Sequence, residues 1–153
     1  MPFCYKHPEY WQVVKSETKK SGNMIDSKKI FDDSEEAHLI TEDEFIKIEN
    51  IKGKLLMIGA EDDCLWNAAK YVKRAEKRLS EKSHDCEVEA LVYKHGTHFV
   101  FPESLLKKIF PIGSGLLSKV MFKAAKEFPK ECKETRIDID KRLSKAIKEW
   151  INK

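Results

Sequence analysis

Two short stretches of the sequence carry the side chains that could perform chemistry. The first, EDD at residues 61–63, follows the apolar run KLLMIGA, and the second, HGTH at residues 95–98, follows CEVEALVY, a second β-like segment. A carboxylate beside an imidazole fixes the tautomer of the ring and stabilises the imidazolium that forms when the ring accepts a proton. Together the two stretches predict the acid and the histidine of a nucleophilic site.

Each of these stretches follows a predicted β-strand. Short continuous apolar runs are typical of strands that are covered on both faces of a parallel sheet. Between them, the sequence repeats apolar side chains at helical spacing and carries lysine and arginine on the opposite face. A strand, a helix and a strand in this order predict a βαβ unit with parallel strands, whose carboxyl ends meet at one edge of the sheet. We therefore expect the acids and the histidines to lie close together.

The predicted fold class is α/β, with a small parallel sheet flanked by helices. The strands are placed at about residues 54–60 and 87–93, and the flanking helices at about residues 65–82 and 138–151.

The N-terminal third of the chain has a different character. Residues 1–50 are polar and turn-prone without a clean period, which predicts an irregular segment rather than part of the core. Within it, Thr41 and Glu44 have the spacing of a capping box and predict the start of a short helix. The chain is thus divided into residues 1–50, a segment outside the core, and residues 51–153, which hold the predicted sheet.

The charges are unevenly distributed between these two portions. Residues 1–50 hold 7 basic and 11 acidic side chains, whereas the remainder holds 22 basic and 15 acidic ones. The excess of lysine gives the second portion a weak bias towards phosphorylated ligands, although lysines that merely solvate helix faces are the commoner explanation. Basic and aromatic residues do not interleave, so nucleic acid is not an expected partner.

No stretch suggests a membrane, a leader or a cofactor. The apolar runs fall short of the roughly 20 residues that a membrane span requires, and the N-terminal residues lack the pattern of a cleavable signal. The four cysteines contain no CxxC pair, so neither a zinc framework nor a disulfide scaffold is predicted. We expect a cytoplasmic protein with free thiols, no metal or other cofactor, and no membrane partner.

The phrases IGAEDDCLW and YKHGTHFVFP, with the helix between them, resemble the C-terminal portion of the α/β-hydrolase domain in the acyl-CoA thioesterase and bile acid-CoA:amino acid N-acyltransferase family. The resemblance runs from about IENIKGKLLMIG through the last helix. It implies that Asp63, three residues before Trp66, is the triad acid. It also implies that His98, which follows Gly96 and one intervening residue, is the base, within roughly 2.6 to 3.2 Å of the acid. The implied substrate is an acyl-CoA-like thioester.

The nucleophile of that family has no counterpart at the expected place. It is a serine or cysteine on a sharp turn between an earlier strand and a helix. The upstream serines lie in polar segments with no predicted strand before them; they are Ser16, Ser21, Ser27 and Ser34. Ser114 lies between glycines but follows His98. The resemblance therefore implies a C-terminal part of a thioesterase or an N-acyltransferase that holds the acid and the base but no nucleophile. It also implies that residues 1–50 form a lid-like excursion.

Two consequences are expected of such a chain. It does not cleave thioesters by itself, and it forms a homodimer or larger assembly because a partial sheet leaves strand edges to be paired. The alternative is a non-catalytic hydrolase module that acts only through association.

Several neighbouring residues offer alternatives to this assignment. Asp62 is the other candidate acid, and His95 the other candidate base, although its position before the glycine predicts a solvent-facing ring. Glu61 is predicted to solvate the loop. Cys64 stands beside the acids and is a possible nucleophile, but a structural thiol is the commoner case.

Two further hypotheses concern metal and acyl binding. The spacing of His95 and His98, with His84 and Cys86 nearby, is a weak metal-binding signal because it does not lie on a helix. The aromatic residues after the histidine stretch could contact a fatty-acyl chain, and more commonly such residues plug the core below the loop; they are Phe99, Phe101 and Phe110.

Overall fold

A two-stranded parallel sheet forms the centre of the computed structural model, which describes residues 9–22, 26–37, 41–100 and 102–152. Strand β1, Gly53–Ala60, pairs with strand β2, Cys86–Tyr93, in a register that aligns their first residues and their last residues. Both strands begin one residue before the predicted bounds. The prediction of a small α/β fold with two parallel strands is confirmed.

Helix α3, Ala68–Glu81, forms the crossover between the strands. Its apolar stripe is buried through Ala69, Val72 and Leu79, while its lysines and arginines take the other face. The helix begins three residues later than predicted. The reason is local, because the carboxylate of Asp63 accepts the Leu65 N–H at 2.9 Å and holds the chain in a turn before the helix.

Helix α7, Pro129–Ile151, is the longest helix and begins nine residues before the predicted bound. Its first turn contains Pro129, whose fixed φ suits a helix start. Side chains of α7 are tied to both strands, since the Tyr93 hydroxyl donates to Asp138 at 2.7 Å and the Lys54 ammonium donates to Glu149 at 2.7 Å. In the described part of the chain, no helix is both long enough and apolar enough to cross a membrane.

Three short helices connect β2 to α7. They are α4, Glu103–Ile109, α5, Ser114–Met121, and α6, Lys123–Glu127. A buried ion pair between Glu103 and Arg136, at 2.8 Å, joins α4 to α7. Phe122, which is buried between α5 and α6, anchors this connection to the rest of the fold.

The prediction of an irregular N-terminal segment is wrong for its described residues. They form helices α1, Tyr10–Ser21, and α2, Lys28–Ala37, followed by single 3-10 turns at Glu42–Glu44 and Ile48–Asn50. Each α-helix buries only one side chain, Val14 in α1 and Ile30 in α2, so the apolar signal in the sequence is weak. The predicted capping box is present, because the Thr41 N–H donates to Glu44 at 2.8 Å, but it opens a single turn.

Candidate active site

The carboxyl ends of the two strands bring the Asp63 and His98 side chains together. Asp63 lies three residues beyond β1 and His98 five residues beyond β2, and Asp63 Oδ2 is 3.1 Å from His98 Nδ1. The strands stay paired up to this point, because the Glu61 N–H donates to the Tyr93 carbonyl at 2.9 Å. The predicted distance is confirmed, while the catalytic roles of the two residues stay predictions.

The surroundings of this pair orient both side chains. Asp63 is 3% exposed, and its second carboxylate oxygen accepts the Leu65 N–H. An ionised carboxylate only accepts hydrogen bonds, so Nδ1–H of His98 is the donor and Nε2 is left for another group. The His98 side chain is 25% exposed, and its ring meets the edge of Trp66 at a centroid distance of 5.2 Å. The imidazole of His98 is therefore held by Asp63 at Nδ1, while its side chain stays partly exposed.

A second acid–histidine pair lies beside the first. Asp62 Oδ2 is 2.8 Å from His95 Nδ1, and the His95 ring stacks on Phe128 at a centroid distance of 4.0 Å. The hydroxyl of Thr135 donates to the His95 carbonyl at 2.6 Å, which attaches the histidine loop to α7. The prediction that His95 faces solvent is wrong, because the ring lies against Asp62 and Phe128 and its side chain is only 19% exposed.

Gly96 explains why a glycine separates the two histidines. A Cβ atom at this position would lie 2.8 Å from the Cβ of Ala60, the last residue of β1. Only glycine lets the histidine loop approach the end of β1 this closely. The approach brings His95 and His98 over Asp62 and Asp63.

Cys64 lacks the properties of a nucleophile. Burial, followed by the negative charges of Asp26 and Asp63, raises the pKa of its thiol to about 12. Because the thiolate is the reactive form, this environment suppresses its reactivity at neutral pH. The other neighbour, Glu61, is exposed and pairs with Lys73 at 3.2 Å, as expected of a residue that solvates the loop.

The segment before α2 supports the acid loop, which the sequence did not indicate. Backbone N–H groups of Ser27 and Lys28 both donate to the Cys64 carbonyl at 2.9 Å. The Ser27 hydroxyl donates to the Leu65 carbonyl at 2.6 Å. These contacts join residues almost forty positions apart and all end on backbone carbonyls, so no pattern of side-chain types reveals them.

The metal hypothesis is not supported by the positions of its proposed ligands. His84 contacts Cys86 at the first residue of β2, whereas His95 and His98 follow its last residue. An eight-residue strand separates these ends by about 25 Å. Among the described residues, no group of three histidine, cysteine, aspartate or glutamate side chains is arranged to hold a metal ion.

The aromatic residues after the histidine stretch have different environments. The ring of Phe99 meets the edge of the buried Phe122 at 5.1 Å, which supports the core-plug interpretation for this residue. Phe110 is exposed at the end of α4. Phe101 lies outside the described residues.

The sequence matches the family described as BAAT / Acyl-CoA thioester hydrolase C terminal over residues 4–105. The match covers both the EDD and the HGTH stretches. It begins well before the predicted IENIKG start and ends before α5 rather than at the last helix. No curated protein and no solved structure matches the chain. The small parallel sheet with flanking helices is consistent with the C-terminal portion of an α/β-hydrolase fold, and the chain belongs to the BAAT and acyl-CoA thioester hydrolase C-terminal family.

Proposed function

We propose that the chain supplies the acid and the base of a thioester-cleaving site, with Asp63 as the acid and His98 as the base of a Ser/Cys–His–Asp triad. The observation that carries this proposal is the 3.1 Å contact between a buried carboxylate and a partly exposed imidazole at adjacent strand ends. Family membership supports an acyl-CoA-like thioester as the substrate class.

The proposed chemistry assigns each side chain one task. Nε2 of His98 accepts the proton of a serine or cysteine nucleophile as that atom attacks the thioester carbonyl. Asp63 stabilises the resulting imidazolium, which then returns the proton to the departing thiolate. The acyl group remains on the nucleophile until water or an amine, deprotonated by the same imidazole, displaces it. Hydrolysis and N-acyl transfer differ only in which of these reaches the acyl group.

We further propose that the nucleophile comes from outside these 153 residues. Ser16, Ser21 and Ser34 lie within α1 and α2, and Ser27 is engaged in a hydrogen bond just before α2. Ser114 begins α5, which follows another helix rather than a strand. The elbow that exposes a nucleophile needs a strand immediately before it.

We therefore expect the chain alone to release thiol from a long-chain acyl-CoA no faster than its His98→Ala variant. A free thiol is detected directly with a chromogenic disulfide reagent. Clear activity that His98→Ala abolishes would show that these residues do contain a nucleophile. That outcome would correct the nucleophile's origin and leave the roles of Asp63 and His98 in place.

Nitrogen-detected NMR of the histidine rings tests the acid–base assignment without any turnover. We expect His98 to be the Nδ1–H tautomer, because that hydrogen is donated to Asp63, and Asp63→Asn to change this tautomer ratio. Asp62→Asn is the matched control, since it contacts His95 instead. A His98 tautomer that responds to Asp62→Asn and not to Asp63→Asn would remove the assignment.

A second candidate function is a module that acts by pairing. Among the described residues the sheet has only two strands, so each strand has one edge without a strand partner. Exposed parallel edges favour association with another copy. We propose a homodimer or larger assembly on this ground, and light scattering that finds only monomer at micromolar concentration would contradict it.

A further inference from the structure

Helices α4 and α5 and the loop between them expose an unusual number of large apolar side chains. Ile112 at the tip of the loop is 95% exposed, and Leu116 and Val120, one turn apart on α5, are 69% and 62% exposed. The same surface continues on α4 and at its end through Leu105, Ile109 and Phe110. These six residues are here called the apolar surface.

The segment that carries the apolar surface is rich in lysine. From residue 104 to residue 126 the sequence contains five lysines and no acidic residue. Lys107 and Lys123 each have an acidic neighbour one helical turn away, at 3.8 and 3.7 Å. Among the ion pairs of the described residues, none involves Lys108, Lys119 or Lys126. The segment therefore combines exposed apolar groups with uncompensated positive charge.

The loop at the tip of this surface is exposed and turns sharply into α5. Gly113 has a φ of +84°, a left-handed conformation that ends the loop and turns the chain into α5. Behind it, Phe122 is buried and meets the ring of Phe99, next to His98 in the chain. The apolar surface thus lies on the segment that directly follows the histidine loop and is anchored to it.

We propose that the apolar surface docks onto the anionic face of a lipid bilayer, with Ile112 entering the interface and the lysines contacting lipid phosphates. Helices that lie in a membrane interface combine an apolar face with lysine on the polar side. A second copy of the chain is the poorer occupant, because it would place like charges opposite each other. Nucleic acid would leave the apolar side chains in water. The expectation of no membrane partner was based on the lack of a spanning segment, which this mode of binding does not require.

Vesicle sedimentation tests the proposal on the intact chain. We expect binding to vesicles of phosphatidylcholine with phosphatidylserine, weaker binding to phosphatidylcholine alone, and a decrease as salt is added. The variant Ile112→Glu/Val120→Glu should bind at least about tenfold more weakly, since it removes buried apolar contact. Lys108→Glu/Lys119→Glu should lose binding by about tenfold or more.

A matched control is available in Ile46, which is 80% exposed but has acidic neighbours in sequence. Ile46→Glu should bind the vesicles as the unmodified chain does, and circular dichroism should show that all variants keep their helix content. The proposal is overturned if the unmodified chain does not bind, if it binds neutral and anionic vesicles equally, or if Ile112→Glu/Val120→Glu has no effect. It is also overturned if that variant dissociates a dimer while vesicle binding persists, because a second copy would then cover the surface.

Discussion

The carboxylate of Asp62 lies 2.8 Å from Nδ1 of His95, directly beside the equivalent contact between Asp63 and His98. Two consecutive acids on one loop thus bind two histidines on the other. The His95 ring stacks on Phe128 and its carbonyl accepts the Thr135 hydroxyl of α7, whereas the His98 ring meets the edge of Trp66. The two histidine side chains are similarly exposed, at 19% and 25%, so it is the stacking and the bond to α7 that lead us to expect the Asp62–His95 pair to hold the loops together.

The stacking of His95 on Phe128 should be measurable as an interaction energy. In a double-mutant cycle of His95→Ala and Phe128→Leu, we expect a coupling of about 0.5–1.5 kcal/mol in the free energy of unfolding, from urea titrations. The cycle of His98→Ala with Phe128→Leu serves as the control and should give no coupling. Equal coupling in both cycles would show that the His95 contact is not specific.

Gly96→Ala should destabilise the fold by about 1–3 kcal/mol, because the new methyl group would overlap the Ala60 side chain. Ala60→Gly removes the obstructing group. The double variant Ala60→Gly/Gly96→Ala should therefore lose less stability than the two single changes together. Thermal unfolding followed by circular dichroism measures all three, and strict additivity would contradict the close approach.

Cys64 should be a slow thiol at neutral pH. With a pKa raised to about 12 by burial and by nearby carboxylates, only about one molecule in ten thousand carries the thiolate at pH 8. We expect alkylation by iodoacetamide, followed at this residue by peptide mass spectrometry, to be at least about a hundredfold slower than in urea. Labelling at the same rate in the folded and the unfolded chain would show that the fold does not suppress the reactivity of the Cys64 thiol.

Glu35 should contribute stability that depends on pH. Burial alone would raise its pKa, but hydrogen bonds from Arg74, Lys70 and Tyr71 outweigh burial and lower the pKa to about 2. Since the unfolded chain binds this proton near pH 4.5 and the folded chain near 2, the stabilisation is complete at neutral pH. It is then lost as the pH falls through that interval.

The corresponding experiment compares Glu35→Gln with the unmodified chain across pH. At pH 7 the variant should be less stable by about 1–2 kcal/mol, and the difference should shrink towards zero near pH 2. Glu36→Gln, at the exposed neighbouring position, is the control and should change little at either pH. A loss at pH 7 that persists unchanged in acid would mean that the charge of Glu35 is not responsible.

The sequence contains enough local information for the sheet and for the position of the candidate pair. Strand β1 is a continuous apolar run, the crossover helix has a regular stripe, and Asp63 and His98 come three and five residues after the strand ends. Helices α1 and α2 could not be predicted in the same way. Each buries one side chain, and α2 is held largely by distant partners, such as Arg74, whose guanidinium donates to Glu35 at 2.6 and 3.2 Å.

The orientation of the His95 ring could not be predicted from the sequence for a related reason. Its partners are Asp62, Phe128 and Thr135, which lie more than thirty residues away on both sides of it in the chain. A histidine before a glycine usually occupies a turn, and only the packing of α7 against the loop encloses this one. The early start of α7 was missed because residues 129–137 are rich in charge and the side chains that they bury include Thr135 and Arg136, which form no apolar stripe.

Each of Asp63 and His98 is positioned by the end of the strand that precedes it. The chain between the two residues crosses the fold through α3. Residues 82–85, the turn from α3 to β2, lie at the far end of the sheet from both loops. Insertions in this turn would lengthen the chain between acid and histidine without moving either side chain. Distant relatives should therefore be recognised by the spacing of each residue from its own strand, and not by the 35-residue interval from Asp63 to His98.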